Sequence, residues 1–90
     1  MNGPIEHRAE FIVRNELGLH ARPAGQFVVL AGQFSSEVEV TRGSETVDGR
    51  SVLSLLSLAA ACGTILAIRA VGNDAVEAVT ALGELLEHPK

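Results

Sequence analysis

The chain is predicted to fold as an α+β domain of order βαββαβα, with helices packed on one face of an antiparallel sheet. Three observations carry that reading. Apolar and polar residues alternate with period two over Arg8–Asn15 and Ser36–Thr41, Thr64–Val71 reads as a largely apolar strand, and Thr46–Asp48 is a short returning strand. Three segments between and after these runs place apolar residues on a helical stripe. Glycines and turn-forming residues separate the two kinds of segment, and burying both sets of apolar residues requires helices layered on a sheet.

The elements follow in chain order. Met1–His7 reads as a frayed start, with His7 an exposed polar residue. In the first strand Ala9, Phe11 and Val13 share one face, and Glu10, Ile12 and Arg14 the other. Gly18 marks a turn. Pro23 suits the first turn of a helix, where its missing N–H has no partner to lose. Ala24, Phe27, Val28 and Ala31 form that helix's buried stripe, Val29 and Leu30 lie off it, and Gly32 is placed to end it. Val38 and Val40 point inward from the second strand. Arg42-Gly43-Ser44-Glu45 turns it into the short third strand, giving a hairpin.

Ser51–Cys62 is nearly free of charge, and its stripe of Leu55, Leu58, Ala59 and Cys62 predicts a second helix stopped by Gly63. Val52, Leu53 and Leu56 remain on another side, which in so small a domain predicts a docking face. Cys62 is expected to be buried packing. The last strand turns Leu66, Ile68 and Ala70 inward. Asp74 with Glu77 matches a capping box for a third helix, whose inner face is predicted as Val76, Val79, Leu82, Gly83 and Leu86. His88 complements that helix's dipole and Pro89 lies beyond its end.

Composition bounds the function. Ninety residues suit one domain, residues 1–90, and three Phe residues as the only aromatics imply an aliphatic core. A net charge of −4 and strand centres without aromatics argue against a nucleic-acid surface. A single cysteine excludes an internal disulfide, and no second ligand sits at metal-binding spacing, so neither metal nor cofactor is expected. No apolar run reaches the ~20 residues a membrane span needs, and no leader pattern is visible, which predicts a cytoplasmic protein without membrane insertion.

The chemistry concentrates in Leu17-Gly18-Leu19-His20-Ala21-Arg22-Pro23-Ala24. A strand ends before it and a helix starts within it, so His20 and Arg22 stand at a helix N-terminus. Backbone N–H groups without intrahelical acceptors, with the positive end of the dipole, make that end an anion site. Neutral imidazole is nucleophilic near neutral pH, and the guanidinium fork matches phosphate geometry. His20 is thus a candidate phosphoryl acceptor, with the amides of Ala21 and Arg22 and the Arg22 side chain holding the phosphoryl oxygens. A plain capping role for His20 stands beside this.

At these residues the sequence resembles the HPr family, the phosphocarrier proteins of the bacterial phosphoenolpyruvate-dependent phosphotransferase system. Leu17–Ala24 is similar to the family's active-site segment nearly residue for residue. Gly49-Arg50-Ser51-Val52-Leu53-Ser54-Leu55-Leu56-Ser57-Leu58 resembles its regulatory-serine segment. The resemblance implies an open-faced β-sandwich, a four-stranded antiparallel sheet of order 1-4-2-3 with three helices on one face. It implies a monomeric carrier rather than a turnover enzyme. His20 would take a phosphoryl group on Nδ1 from Enzyme I and give it to enzyme IIA components, serving sugar uptake or its regulation. Ser51 matches the serine that an HPr kinase/phosphorylase modifies in some bacteria; a helix N-cap role is compatible with that. Val52, Leu53 and Leu56 would dock partners.

The departures are specific. Arg50 stands where the family commonly has Lys, Ser54 where Gly or Lys is frequent, and Val29 and Gly32 where some members carry lysines. Docking is therefore expected to be less salt-sensitive than in lysine-rich members. Two further readings are an adaptor controlled through Ser51, binding a transcriptional regulator, and a member of the nitrogen-related branch of the system. Retention of His20 favours carriage over the adaptor.

Overall fold

The computed structural model describes residues 4–89. Four strands, β1 (Glu6–Ile12), β2 (Glu37–Arg42), β3 (Glu45–Asp48) and β4 (Ile65–Val71), and three helices, α1 (Ala21–Ala31), α2 (Val52–Ser57) and α3 (Ala75–Glu87), occur in the expected order. The strands pair antiparallel as β1-β4-β2-β3. β1 begins at Glu6 rather than after a frayed start, and His7 lies opposite Ala70, half-buried; residues 1–3 of that stretch lie outside the described residues.

The alternation read from the sequence sets which face of the sheet meets the helices. Val38, Val40, Leu66, Ile68 and Ala70 are buried with Ala24, Phe27 and Ala31 of α1 and Leu55 of α2. Burying a side chain as large as Phe27 or Leu55 contributes about 1.5–3 kcal/mol relative to leaving it exposed. On the opposite face Arg69 bridges Glu6 at 2.7 Å and Glu39 at 2.9 Å, tying β1, β4 and β2 together outside the core. The hydrogen bond and charge of Arg69 hold the Glu6 carboxyl below its ordinary pKa.

α3 lies against β1 and β4 through Ala75, Ala78, Val79, Leu82, Gly83 and Leu86. Gly83 is dictated by close approach, because a Cβ there would fall inside the ring of Phe11. Val76, expected on this face, is 47% exposed, and the smaller Ala75 and Ala78 are buried instead. Small residues let the helix come near enough to the sheet to seat Phe11. The chain ends of this layer are tied: the Ile12 N–H donates to a Glu87 carboxylate oxygen at 2.9 Å and the Arg14 N–H to the Leu86 carbonyl at 3.0 Å.

The capping box at α3 does not form. Asp74 occupies the N-cap position, but its side chain caps nothing. Its carboxylate instead accepts the Ser35 N–H at 2.9 Å, the Ser36 N–H at 3.0 Å and the Ser36 hydroxyl at 2.5 Å, closing the α1–β2 loop. Three donors outcompete the single bond a capping box offers. They also hold its pKa down at about 2, against an ordinary 3.8.

α2 is half the predicted length. It stops with Leu58 as C-cap, its last turn tightened by bonds from the Leu58 N–H to Leu55 and from the Ala59 N–H to Leu56. Ala59 then takes φ +50°, the only non-glycine among the described residues in the left-handed region. Ala59–Ala61 has high intrinsic helix propensity, so tertiary contacts override it here. Gly63 therefore ends no helix, and Cys62 is exposed in the turn rather than packed in a core.

Candidate functional site

The site at the start of α1 is built by a short run of enforced geometry. After Val13, which is buried, Asn15–Gly18 closes a turn through the Gly18 N–H to the Asn15 carbonyl at 2.9 Å. Asn15 Oδ1 also accepts the Leu17 N–H at 3.2 Å. Gly18 has φ +74°, and a Cβ on it would lie 2.5 Å from the Ala60 carbonyl oxygen. Both the conformation and the space demand glycine. Leu19 is buried, and its N–H donates to that same Ala60 carbonyl at 2.8 Å. The chain therefore enters α1 anchored on the turn after α2.

His20 comes next as the N-cap of α1, with φ −92° and ψ −170°. Its backbone is fully used: the N–H donates to the Gly18 carbonyl at 3.0 Å and the carbonyl accepts the Ala24 N–H at 2.9 Å. Its side chain makes no capping bond. The imidazole is half-buried and free of internal partners, so the plain capping reading is not what the geometry shows. The amides of Ala21 and Arg22 have no acceptor among the described residues, and Pro23 contributes none. Two open donors thus stand at the positive end of an 11-residue helix whose first turn holds no acidic side chain. The exposed Arg22 guanidinium forms no ion pair among the described residues. A shallow groove continues along α1 past Gly25, Gln26 and Val29.

Ser51 is placed differently. It is the N-cap of α2, and its hydroxyl oxygen accepts the Ser54 N–H at 3.2 Å. Arg50 beside it does not present a free cation. Its guanidinium donates to the Phe34 and Ser36 carbonyls, both at 2.8 Å, so it braces the same α1–β2 loop whose amides Asp74 holds. Of the predicted docking residues, Leu53 is 80% exposed, whereas Val52 and Leu56 are half-buried against the core. Leu17, 78% exposed, and Val29, 68% exposed, were absent from that set. Val29 was legible as off the α1 stripe; Leu17, in a turn, left no periodic signal.

The structure thus gathers His20, Ala21 and Arg22 at one helix end and leaves Ser51 at another. Six residues of α2, about 9 Å of helix, separate Ser51 from the exit turn that holds Leu19. Among the described residues no group of three or more His, Cys, Asp or Glu side chains could hold a metal ion. No helix among them is long and apolar enough to cross a membrane.

The comparisons with known proteins identify the family and the fold. The family described as the PTS HPr component phosphorylation site matches residues 7–88. The phosphocarrier protein HPr of Neisseria meningitidis serogroup A is 46% identical over 72 residues, covering 80% of this chain and 81% of that one. That of Haemophilus influenzae is 47% identical over 77 residues, covering 86% and 88%. The crystal structure of HPr from Bacillus anthracis superposes with a TM-score of 0.88 at 32% identity, over 91% of this chain and 98% of that one. With the β1-β4-β2-β3 sheet, three helices and a histidine-led helix terminus already in place, the chain belongs to the HPr family of phosphocarrier proteins of the phosphotransferase system.

Proposed function

We propose that this protein relays a phosphoryl group through His20, from the phosphohistidine of Enzyme I to a histidine of an enzyme IIA component, in the cytoplasm. The observation that carries the reading is the unengaged imidazole beside the open amides of Ala21 and Arg22. The lone pair of His20, on Nδ1 as the family resemblance implies, attacks phosphorus while the P–N bond to the donor histidine breaks. One P–N bond replaces another, and the electron pair returns to the donor imidazole. The phosphoryl oxygens then accept bonds from the two amides and from Arg22, a charge-assisted clamp at a helix N-terminus. An exposed helix terminus contributes on the order of 0.3–1 kcal/mol to a nearby anion, weak enough for onward transfer. The protein is returned unchanged and is a carrier rather than a turnover enzyme.

Docking is assigned to Leu53 and its half-buried neighbours Val52 and Leu56, with Leu17 and Val29 added by their exposure. α1 and α2 carry no acidic residue and Arg22 as their one cation. The face therefore fits an apolar partner surface. Ser51 is the regulatory residue of this reading. Its phosphate would stand at a helix start, where it is tolerated, and add negative charge to a face whose two helices carry no acidic residue.

The test is incubation of the protein with phosphoenolpyruvate and Enzyme I. Acid-labile, alkali-stable phosphate is expected on the wild type and absent from His20→Ala. No label on the intact protein with a competent Enzyme I overturns the reading.

A further inference from the structure

We propose that Arg42 is a positioning residue for His20, acting through the exit turn of α2. Arg42 ends β2, and Glu45 is its cross-strand neighbour in the hairpin. The side chain does not take that carboxylate. Its Nη1 donates instead to the Leu58 carbonyl at 2.8 Å, in a part-buried contact 16 residues away. Leu58 is the C-cap of α2, where carbonyls lack intrahelical donors and a cation is favoured.

The bond matters because Leu58 leads directly into the turn that seats the start of α1. Ala59 is left-handed at φ +50°, a conformation a non-glycine residue keeps only when its surroundings hold it. The turn directs the buried Ala60 carbonyl onto the Leu19 N–H at 2.8 Å. The same carbonyl packs against Gly18 so closely that no Cβ fits between them. The Gly18 carbonyl in turn accepts the His20 N–H at 3.0 Å. Three hydrogen bonds, Arg42 to the Leu58 carbonyl, Leu19 to the Ala60 carbonyl and His20 to the Gly18 carbonyl, are therefore joined through the covalent chain of the Leu58–Ala60 turn and the Gly18–His20 segment. Removing the guanidinium leaves the Leu58 carbonyl without its side-chain donor and frees a left-handed alanine to relax toward a helical or extended conformation. Either change moves the acceptor on which Leu19 is seated. The imidazole and the open amides of α1 then lose their fixed relation, although no residue at the phosphoryl site has been altered.

The role of Arg42 rests on His20 being the phosphoryl acceptor, and two readouts separate the failure of one from failure of the other. The first is the rate of phosphoryl uptake at saturating and half-saturating phospho-Enzyme I for the wild type, Arg42→Ala and Arg42→Lys. The second is hydrogen exchange of the Leu19 amide, with the amides of Val40 and Ile68 as references for the intact sheet. Misplacement of a reacting group by a fraction of an ångström predicts an Arg42→Ala maximal rate lowered about 3–10-fold, with the half-saturating concentration within about twofold of the wild type. Loss of the seat predicts Leu19 exchange about tenfold faster or more, with Val40 and Ile68 unchanged. Arg42→Lys, which keeps a cationic donor, restores most of both. Should Arg42→Ala fail to fold, Arg42→Gln, whose shorter amide does not span the gap, is read by the same two measurements. An unchanged rate, an effect on half-saturation alone, or a slower rate with Leu19 exchange unmoved overturns the proposal. A wild type that takes up no label overturns the carrier reading instead, and unmoved Leu19 exchange in the variant still overturns the positioning role of Arg42.

Discussion

The N-termini of α1 and α2 have the same polarity and opposite chemistry. α1 begins at a histidine whose side chain caps nothing, and leaves the amides of Ala21 and Arg22 open. α2 begins at a serine whose hydroxyl oxygen closes onto the Ser54 N–H at 3.2 Å. The amides of Val52 and Leu53 also have no acceptor among the described residues, so the two ends differ in what stands beside the open amides: at α2 a hydroxyl already engaged in a cap, at α1 a free imidazole and the Arg22 guanidinium. The uncapped α1 end forgoes about 1 kcal/mol of local stability and in return leaves its N-cap side chain unengaged beside the open amides. The proposed phosphoryl relay uses the end whose N-cap side chain is unengaged. A phosphate on Ser51 would have to share or displace the existing cap, which suits a slow regulatory mark better than rapid transfer.

The largest expected effect tests this trade directly. His20→Asp supplies a capping carboxylate at α1. It should abolish phosphoryl uptake from Enzyme I while raising unfolding stability by about 0.5–1 kcal/mol, read by urea titration. A variant that loses uptake and also loses stability would mean that His20 is a structural cap after all. The mirror change, Ser51→Ala, should lower stability by about 1 kcal/mol and leave uptake at His20 within about twofold, since it alters neither the open amides nor Arg22. A large loss of uptake would show that the two helix ends are not independent.

Asp74 offers a third helix end for the comparison, with its carboxylate committed to Ser35 and Ser36. Its pKa in the folded protein, about 2, lies below the ordinary 3.8. The folded state therefore holds its proton less tightly than the unfolded chain. That contribution is present above the ordinary value and is lost as pH falls through the folded one. Urea unfolding measured from pH 5 down to pH 2 should show an acid-dependent loss of stability in the wild type that is smaller in Asp74→Asn. Equal slopes would remove Asp74 as the cause. The smallest expected effect is on docking. With Arg22 the one cation on α1 and α2, affinity for Enzyme I should fall only weakly with added salt over the range that screens surface charges. A steep decline measured by calorimetry would place unrecognised charge in the interface.

Strand and helix identity were legible because they depend on periodicity, which is a local property. Val38 and Val40, or Ala24, Phe27 and Ala31, are buried as their spacing requires. The place of His20 at a helix start was legible for the same reason, since that start is defined by its own few residues and Pro23 marks the first turn. The errors share one cause. Ala59–Cys62 reads as helix by composition, yet the turn is shaped by Leu19 and Gly18, far away in sequence. Asp74 fits a capping box locally, but Ser36 lies 38 residues before it and offers more donors. Cys62 in an apolar context reads as core, and the early stop of α2 leaves it exposed.

By itself, then, the sequence determined the order of elements, the inward faces of the strands and α1, and the imidazole and guanidinium at an open helix end. Hydrophobic period and helix-end chemistry act over a few residues and need no knowledge of the rest of the chain. Only the tertiary structure decided which carbonyl Arg42 reaches, which donors Asp74 gathers, where α2 ends and what seats Leu19 beneath His20. A polar side chain takes the best partner within a few ångströms, and in a sheet of order β1-β4-β2-β3 those neighbours come from distant parts of the chain.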